Sequence, residues 1–310
     1  MMEYRDLGQT GLKVSVLSFG ASSLGSVFRN IDEAEGIRTV HTAIDLGINF
    51  IDVSPYYGLT KAETVLGKAL KEIPRDAYYL ATKLGRYSDA EFDFSASRVG
   101  TSVDESLARL NIDHIDLIQC HDIEFGSLDQ IVNETIPAMR KLQEQGKVQF
   151  IGITGLPLKI FRYVLDRTEV DTILSYCHHT LNDISLKTLI PYLKEKQVGI
   201  INASPLGLGL LTNRGAPAWH PASDEIKETC ARASAHCRSK GVDIAQLAIQ
   251  FALDNPDLST TLVGTANPEH LRQNVEWLET PINYELLAEV QAILAPIRNE
   301  TWLYGRPENN

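Results

Sequence analysis

The apolar residues of the chain fall into eight short runs, which are separated by longer stretches that have one apolar face. Short, nearly continuous apolar runs are typical of strands in a sheet that is covered on both faces. The runs cover residues 16–19, 49–53, 78–82, 115–120, 150–154, 171–175, 199–203 and 261–263. The amphipathic stretches cover residues 31–45, 61–71, 95–110, 127–145, 158–165, 185–196, 243–255 and 268–277. Strands that alternate with helices in this way predict an α/β chain of parallel βα units.

Capping residues stand where several of these helix patterns begin and end. Ser and Asp accept hydrogen bonds from the first free N–H groups of a helix, and Gly adopts the left-handed conformation after its last turn. The predicted N-caps are Asp32, Ser127 and Asp243, and the predicted C-terminal glycines are Gly47, Gly146 and Gly241.

Eight βα units close naturally into a (β/α)8 TIM barrel, and an open doubly wound sheet is the structural alternative. The open sheet would place Gly-x-Gly-x-x-Gly after the first strand. The nearest match, Gly207-Leu-Gly209, follows a late strand and lacks the third glycine. No linker rich in Pro, Ser or Gly divides the chain, so we expect residues 1–310 to form one barrel domain.

Two segments stand outside the alternation of strands and helices. Residues 2–7 and 13–14, joined by the turn 8–11, predict an N-terminal β-hairpin that closes the bottom of the barrel. Residues 211–225 follow the seventh strand and form a long loop rich in Pro and aromatic residues. Long loops on this side of a barrel usually shape the active site.

Charge and composition exclude several classes of partner. The formal net charge of −11 is opposite to the basic face that nucleic acids and anionic membranes attract. No apolar run is long enough for a membrane helix, and the first residues do not resemble a secretory signal. We therefore expect a cytoplasmic protein with no metal, no nucleic acid and no membrane. Its reduced thiols match no zinc pattern and are Cys120, Cys177, Cys230 and Cys237.

Ionisable side chains stand at the ends of successive predicted strands. Asp52 ends the second strand and Tyr57 follows it, while Lys83 ends the third and His121 the fourth. Each alone has a plain structural interpretation, as a helix cap, a solvated lysine or a core histidine. In a barrel, however, the strand C-terminal ends meet at one mouth. The four residues are therefore predicted to form one catalytic group.

The group predicts a specific chemistry. We expect Asp52 to hold Lys83 charged, and the ammonium to lower the pKa of Tyr57 until the phenol exchanges protons near neutral pH. His121 would position the oxygen of the substrate by a hydrogen bond. This set suits the interconversion of an alcohol and a carbonyl group, with the hydride carried by a cofactor.

The same residues lie in strings that resemble the aldo-keto reductase superfamily over nearly the full length of the chain. The strings lie at residues 20, 24–25, 49–58, 81–83, 116–121, 152–154 and 204–207. The resemblance implies a (β/α)8 barrel whose catalytic tetrad is Asp52, Tyr57, Lys83 and His121.

Within the superfamily the chain resembles plant-type sugar dehydrogenases. The strings that carry this resemblance lie at residues 85–87, 91–95, 121–129, 150–157, 174–178 and 219–223. It implies oxidation of an L-sugar, most simply L-galactose, at C1 to a lactone, with Tyr57 exchanging the proton. The alternatives are a C1 dehydrogenase of another aldose such as L-fucose, a general NADPH-dependent carbonyl reductase, and a non-catalytic regulatory subunit that binds cofactor.

The resemblance also bears on the cofactor. Many members bind the 2′-phosphate of NADP with cations after the eighth strand, where Gly264 and His270 stand here beside Glu269. A 2′-phosphate needs Arg or Lys. We therefore expect NAD, although Arg272 lies close by. Ser175 replaces the usual Gln, and Ala203 replaces the usual stacking aromatic. The expected cofactor-binding residues are Thr154, Ser175, Ser204, Leu206, Gly207, Leu208, Gly264, Thr265, His270 and Asn274.

Sugar recognition requires several hydrogen-bonding groups in a pocket that is otherwise apolar. Polar and aromatic residues that follow the predicted strand ends are the candidates. They are Tyr56, Arg86, Tyr87, Asp122, Glu124, Trp219 and His220. The oligomeric state does not follow from the sequence.

Overall fold

The computed structural model describes residues 2–27 and 29–310, so Met1 and Phe28, which belong to the predicted domain 1–310, lie outside the described residues. Eight parallel strands close into a barrel in the order of the chain, and the last pairs with the first. This confirms the predicted (β/α)8 fold. The barrel strands are β3 (Leu17–Gly20), β4 (Phe50–Asp52), β5 (Tyr79–Leu84), β6 (Ile115–Cys120), β7 (Val148–Gly155), β8 (Thr172–Tyr176), β9 (Gly199–Ala203) and β10 (Thr260–Val263).

An antiparallel hairpin closes one end of this barrel, as the sequence predicted. Strand β1 (Tyr4–Asp6) pairs with β2 (Lys13–Ser15), and the apolar residues around them join the core inside the barrel. Gly8, at the hairpin turn, has a φ of +56°, and a Cβ there would lie 2.4 Å from the backbone nitrogen of Gly199. Only glycine permits this close approach. Since Gly199 begins β9, the hairpin covers the N-terminal ends of the strands.

Helices surround the barrel, and the eight predicted amphipathic stretches all contain helix. The helices are α1 (Glu33–Asp45), α2 (Lys61–Leu70), α3 (Ala96–Leu110), α4 (Leu128–Gln130), α5 (Ile136–Glu144), α6 (Lys159–Leu165), α7 (Ile190–Glu195), α8 (Asp224–Ser239), α9 (Ile244–Leu253), α10 (Pro268–Glu279) and α11 (Tyr284–Leu294).

The predicted helix 127–145 is interrupted. Five residues, Ile131–Thr135, form a π-helical turn between α4 and α5. Pro137 lies in the first turn of α5, where its ring has no N–H to continue the α-helical ladder. The hydroxyl of Thr135 donates to the carbonyl oxygen of Phe94 at 2.6 Å and ties the turn to the start of α3.

Two helices, α8 and α11, were absent from the sequence prediction. Apart from Ile226, the buried face of α8 is made of small residues, among them Cys230, Ala233 and Cys237, so the difference in hydrophobicity between its two faces is weak. Helix α11 packs against α8 with Leu286 and Val290, and both helices lie outside the eight βα units. A prediction that assigns one helix to each strand therefore leaves both of them out.

The predicted caps are present at the helix ends. The carboxylates of Asp32 and Asp243 accept from backbone N–H groups at 2.8 and 2.9 Å, and Ser127 caps α4. The three C-terminal glycines have φ between 73° and 85° and are Gly47, Gly146 and Gly241.

Two segments lie across the open end of the barrel. The predicted loop 211–225 ends at Ser223, because the hydroxyl of Ser223 caps α8. The C-terminal tail binds the loop after β6, where the N–H of Arg306 and the amide of Asn309 donate to the carbonyl oxygen of Glu124 at 2.9 and 2.8 Å. No described helix is long and apolar enough to cross a membrane.

Candidate active site

A buried ion pair lies at the open mouth of the barrel. Lys83, on β5, donates to the carboxylate of Asp52 at the end of β4 and to the carbonyl oxygen of Val53 at 2.8 Å. The second carboxylate oxygen of Asp52 accepts from the amide of Gln119 on β6 at 2.8 Å. Lys83 and Asp52 are 1% and 2% exposed, so solvent screens their attraction little.

Tyr57 lies beside this ion pair in the loop after β4. The ammonium of Lys83 is 4.9 Å from the centre of the Tyr57 ring. A close contact between two loop backbones fixes this turn: a Cβ on Gly58, whose φ is +64°, would lie 2.0 Å from the carbonyl oxygen of Gly25. Both glycines belong to the strings that identified the superfamily. They hold the phenol over the ammonium.

His121 completes the group from the end of β6. Its ring lies edge-on to Tyr57, with 5.8 Å between the ring centres. Ring atom Nδ1 is 3.0 Å from the hydroxyl of Ser54, and Nε2 is 3.6 Å from the carboxylate of Asp122. Burial lowers the pKa of His121 to about 3, although Asp122 opposes the shift. The imidazole is therefore neutral at physiological pH.

The protonation of Tyr57 differs from the sequence-based expectation. Burial raises the pKa of Tyr57 above its usual value of 10, and the opposing effect of Lys83 is smaller. The expectation that Lys83 would bring the phenol close to neutral pH is therefore wrong. Burial alone would lower the pKa of Lys83, but Asp52 and Tyr57 together raise it, so the ammonium is retained. The buried pair favours a neutral phenol beside a charged lysine.

Arg86 lies 4% exposed in a cage of aromatic rings next to the tetrad. We call Arg86 and the four rings the arginine box. Guanidinium groups stack favourably on such ring faces. The central carbon of the guanidinium is 4.0, 5.4, 5.0 and 5.6 Å from the ring centres of Tyr56, Phe92, Phe125 and Tyr304.

The arginine box is connected to His121 through Asp122. Arg86 Nη1 donates to the carboxylate of Asp122 at 2.5 Å, and Nη2 donates to the hydroxyl of Tyr304 at 3.1 Å. Asp122 has a φ of 49°, and its N–H donates to the hydroxyl of Thr154 at 2.9 Å. Burial alone would raise the pKa of Asp122, but the neighbouring charges outweigh burial and lower it overall, and Arg86 supplies both a charge and a hydrogen bond. Asp122 is therefore a carboxylate held next to His121.

Glu124 is the second buried carboxyl group of this loop. One oxygen accepts from the N–H of Leu156 at 3.0 Å and from the hydroxyl of Tyr176 at 3.2 Å. The other oxygen, Oε2, is buried and has no hydrogen-bond partner among the described residues. Burial, and then the charge of Asp122, raise the pKa of Glu124 well above its usual range. Both effects favour the protonated form of Glu124, which could donate a hydrogen bond.

The other predicted sugar-binding residues lie in different surroundings. Tyr56 donates to Asp89 at 2.7 Å, and Trp219 is 54% exposed on the loop after β9. His220 is buried, and both ring nitrogens have backbone partners, the carbonyl oxygen of Gly207 at 3.0 Å and the N–H of Ala222 at 3.1 Å. Tyr87 faces α3, where Arg98 stacks on its ring at 4.3 Å. The ring nitrogens of His220 and the ring of Tyr87 are thus already in contact with other parts of the protein.

Apart from Thr154, whose hydroxyl is hydrogen-bonded to Asp122, the predicted cofactor residues lie on the opposite half of the mouth. Ser175, on β8, has a fully buried hydroxyl that has no hydrogen-bond partner among the described residues. After β9, Ser204, Gly207 and Leu208 all have φ between 53° and 55°. This succession of left-handed residues folds the turn, including Leu206, into a compact loop. An unpartnered buried hydroxyl and such a turn fit a ligand that carries amide and phosphate groups.

The start of α10 holds the remaining predicted cofactor residues. A Cβ on Gly264 would lie 3.0 Å from the carbonyl oxygen of Gly20, so a larger residue there requires a shift. Thr265 accepts from the N–H of Asn267 at 3.1 Å, Asn274 is buried, and His270 is exposed.

Acidic groups dominate the charge around this helix start. Asn267 caps α10 by accepting from the N–H groups of Glu269 and His270, and its amide donates to Glu35 at 3.0 Å. Arg272 lies 3.7 Å from the carboxylate of Glu269. The N–H groups of Glu269 and His270 are therefore already paired within the protein, and the nearby cation has a carboxylate beside it.

Sequence reasoning missed several residues of the site. Ser54, Gln119 and Tyr176 lie on or next to barrel strands and were read as part of apolar runs or loops. Tyr304 lies about 180 residues after Phe125 in the chain and reaches the arginine box through the C-terminal tail. Its only sequence signal was an aromatic residue in a polar tail, which does not specify a position in space.

The arrangement can transfer a proton at the phenol of Tyr57 while the charges of Lys83 and Asp52 stay in place. A neutral phenol, an ammonium and a neutral imidazole converge at the mouth, and each is held by a hydrogen bond or a ring contact. Among the described residues there is no cluster of three or more His, Cys, Asp or Glu able to hold a metal ion. The geometry suits proton transfer to or from a substrate oxygen, coupled to hydride transfer.

Comparison with known proteins identifies the class. The profile of the Aldo/keto reductase family matches residues 16–295. The chain therefore belongs to this family of oxidoreductases, which bind a nicotinamide cofactor.

Individual relatives extend over the whole chain. L-galactose dehydrogenase of Arabidopsis thaliana is 55% identical over 317 residues, which cover 99% of each chain. D-threo-aldose 1-dehydrogenase of a Pseudomonas species is 30% identical, covering 92% of this chain and 97% of that protein. A solved aldo-keto reductase from Bacillus halodurans, in its holo form, matches with a TM-score of 0.78 at 27% identity and covers 98% of both chains.

Proposed function

We propose that the protein is an NAD-dependent sugar dehydrogenase that oxidises L-galactose at C1 to L-galactono-1,4-lactone. The observation that carries this proposal is the 55% identity to L-galactose dehydrogenase of Arabidopsis thaliana along 99% of both chains. The tetrad geometry supports the reaction type independently. The bound nicotinamide ring supplies the hydride acceptor.

The catalytic roles follow from the protonation of the tetrad. In oxidation, Tyr57 acts as the phenolate and accepts the proton of the C1 hydroxyl, and in the reverse direction the neutral phenol donates a proton to the substrate oxygen. Lys83 stabilises the phenolate by its charge, and Asp52 keeps that charge in place. His121, as a neutral imidazole, hydrogen-bonds the oxygen on C1 and orients it towards Tyr57.

The sugar would lie between the tetrad and the arginine box. Asp122 and Arg86 present fixed charges, and Glu124 presents a carboxyl oxygen that has no partner among the described residues. Tyr56 and Trp219 add aromatic surface at the rim. Among the candidates, Tyr87 and His220 would form part of the pocket wall without hydrogen-bonding the sugar, because their polar atoms already have protein partners.

Selection of NAD is supported by the charges around α10. A 2′-phosphate approaching this helix would meet Glu35 and Glu269, and Arg272 is paired with Glu269. The residues proposed to contact the cofactor form two sets. The first comprises Ser175, Thr154 and the turn at Ser204–Leu208. The second lies around α10 and comprises Gly264, Thr265, His270 and Asn274.

Two broader proposals accompany this function. Residues 1–310 act as one domain, since the Arabidopsis relative aligns along the whole chain. The protein works in the cytoplasm on a free sugar, without nucleic acid or membrane. All four cysteines are free, which is usual for proteins of a reducing compartment.

The test is a comparison of kcat/KM for L-galactose, L-fucose, D-galactose and simple aldehydes, each with NAD or NADP. We expect L-galactose with NAD to give the highest value and Tyr57→Phe to abolish turnover while NAD still binds. A higher value for L-fucose would favour a different C1 dehydrogenase, which the 30% identical D-threo-aldose enzyme makes the second candidate. A preference for aldehydes with NADPH, or no turnover, would overturn the proposal.

A further inference from the structure

Ser54 lies behind the catalytic histidine and has no role assigned so far. It is fully buried and follows β4 by two residues. Its hydroxyl oxygen accepts from the N–H of Tyr56 at 3.1 Å and lies 3.0 Å from Nδ1 of His121. Ser54 thus contacts both the turn that carries Tyr57 and the imidazole.

The hydrogen bonds of Ser54 define which atom carries the proton. A serine hydroxyl has one proton to donate, and a buried donor without an acceptor is costly. Among the described residues, Nδ1 of His121 is the acceptor within reach of this hydroxyl, since the contact with Tyr56 uses the oxygen as acceptor. Nδ1 therefore receives a hydrogen bond and carries no proton.

The opposite edge of the imidazole leads to the same conclusion. Nε2 lies 3.6 Å from the carboxylate of Asp122, which Arg86 keeps ionised. An N–H facing a carboxylate is attracted, whereas a lone pair facing it is repelled. The two edges of the ring therefore favour a proton on Nε2, on the side where Asp122 lies.

We propose that Ser54 is a positioning residue that fixes His121 as the neutral tautomer with its proton on Nε2. In this tautomer His121 donates a hydrogen bond to the substrate oxygen, and without Ser54 a fraction of the protein would present a lone pair instead. The catalytic consequence rests on the proposed function, but the tautomer itself is a property of the protein without substrate.

The test uses nitrogen-15 NMR of the full-length protein labelled at histidine. The two tautomers have different ring nitrogen shifts, and His121→Gln assigns the signal. We expect a pure Nε2–H tautomer in the wild type and a mixture in Ser54→Ala. Ser54→Thr, which keeps the hydroxyl, should restore the wild-type spectrum.

Ser15 provides a matched control at the other end of the barrel. It is also fully buried, and its hydroxyl accepts from the backbone N–H of Asn49 at 3.2 Å. Ser15→Ala thus removes a similar bond without touching His121 and should leave the histidine spectrum unchanged. In turnover assays, Ser54→Ala should lose about 10- to 100-fold in kcat with an unchanged Kd for NAD, on the scale of a weakened oxyanion donor.

Clear outcomes would overturn the proposal. A wild-type protein with the proton on Nδ1 would do so even if Ser54→Ala failed to fold. An Ser54→Ala protein with the wild-type tautomer, or an Ser54→Thr protein that loses it to the same extent, would also contradict the role of the hydroxyl. If the tautomer behaves as expected but L-galactose is not oxidised, the positioning role stands and the proposed function fails.

Discussion

The two halves of the barrel mouth are built on different principles. At the ends of β4 to β6, charged side chains are buried and bound to one another: Lys83 to Asp52, and Arg86 to Asp122. At the ends of β8 and β9, small residues and left-handed turns prevail, and the buried hydroxyl of Ser175 has no partner among the described residues.

Under the proposed function, the two halves have two separate tasks. Groups that act on the reacting atoms have to be in place before the substrate arrives, so the first half fixes them with internal bonds. A half that receives a large cofactor has to offer unpaired polar atoms and backbone instead, since bonds already made within the protein are not available. Substitutions in the first half should therefore change both stability and rate, and those in the second should change cofactor affinity alone.

The largest effect is expected for Lys83→Met. It leaves the carboxyl group of Asp52 buried without its cation and removes the charge that stabilises the phenolate. We expect a loss of roughly 10³-fold or more in kcat and of about 3–5 kcal/mol in the free energy of unfolding. Turnover assays and urea denaturation measure the two effects.

The control is Lys147→Met, which removes a lysine that pairs with Asp104 at 2.5 Å but is 35% exposed. A surface pair contributes about 1 kcal/mol or less, so little change is expected. Equal destabilisation by the two substitutions would contradict the claim that the buried ion pairs of the first half contribute more to the free energy of unfolding than an exposed pair does.

A smaller effect is expected for Arg86→Lys. Lysine keeps the positive charge but lacks the planar fork that contacts Asp122 and Tyr304 together. We expect kcat/KM for the sugar to fall by about 10- to 100-fold, as for a lost charged hydrogen bond, with an unchanged Kd for NAD. Arg98→Lys, at the partly exposed arginine over Tyr87, is the control. A loss of NAD affinity in Arg86→Lys would contradict the separation of the two halves.

The pH dependence of oxidation tests the protonation of the first half. Because burial raises the pKa of Tyr57, the phenol keeps its proton at neutral pH and the active phenolate becomes more abundant as pH rises. We expect kcat/KM for oxidation to increase up to tenfold per pH unit between about pH 7 and 9. The pKa of His121, about 3, predicts no loss from imidazole protonation above pH 5 or so. A plateau below pH 7 would contradict this assignment.

The smallest effect is expected in the second half. His270→Arg adds a cation at the exposed start of α10 and should raise kcat/KM for NADP by about tenfold, the gain from one charged hydrogen bond. The rate with NAD should stay unchanged. Gln273→Arg, further along the same helix, should have no effect. An equal gain from both substitutions would show a general effect of charge and would remove the support for a phosphate position near α10.

The sequence predicted most of the barrel because its strands are apolar on both faces and its helices are capped by Asp, Ser and Gly. It did not predict α8, whose buried face consists mostly of small residues, or the π-helical turn before Pro137. The two faces of α8 differ too little in hydrophobicity for its pattern to predict a helix. At the π-helical turn, Pro137 lies within an amphipathic pattern that continues past it, so the pattern gives no sign of an interruption.

The convergence of the four predicted tetrad residues could be anticipated because Asp52, Lys83 and His121 lie at the ends of three successive strands and Tyr57 follows the first of them, so that topology brings them together. The protonation of Tyr57 could not, since it depends on the balance between burial and Lys83. The partnership of Arg86 with Tyr304 joins segments far apart in the chain, and Ser54 acts through a single hydroxyl. Such contacts depend on the folded positions of side chains, which periodicity does not encode.

The most direct test of the central claim is transfer of the label from L-galactose that carries deuterium at C1. If C1 is oxidised by hydride transfer to NAD at the tetrad, mass spectrometry will find the deuterium in NADH. The Tyr57→Phe protein will then bind NAD but produce no labelled NADH. Unlabelled NADH from the wild type, or equal transfer by Tyr57→Phe, would contradict the account.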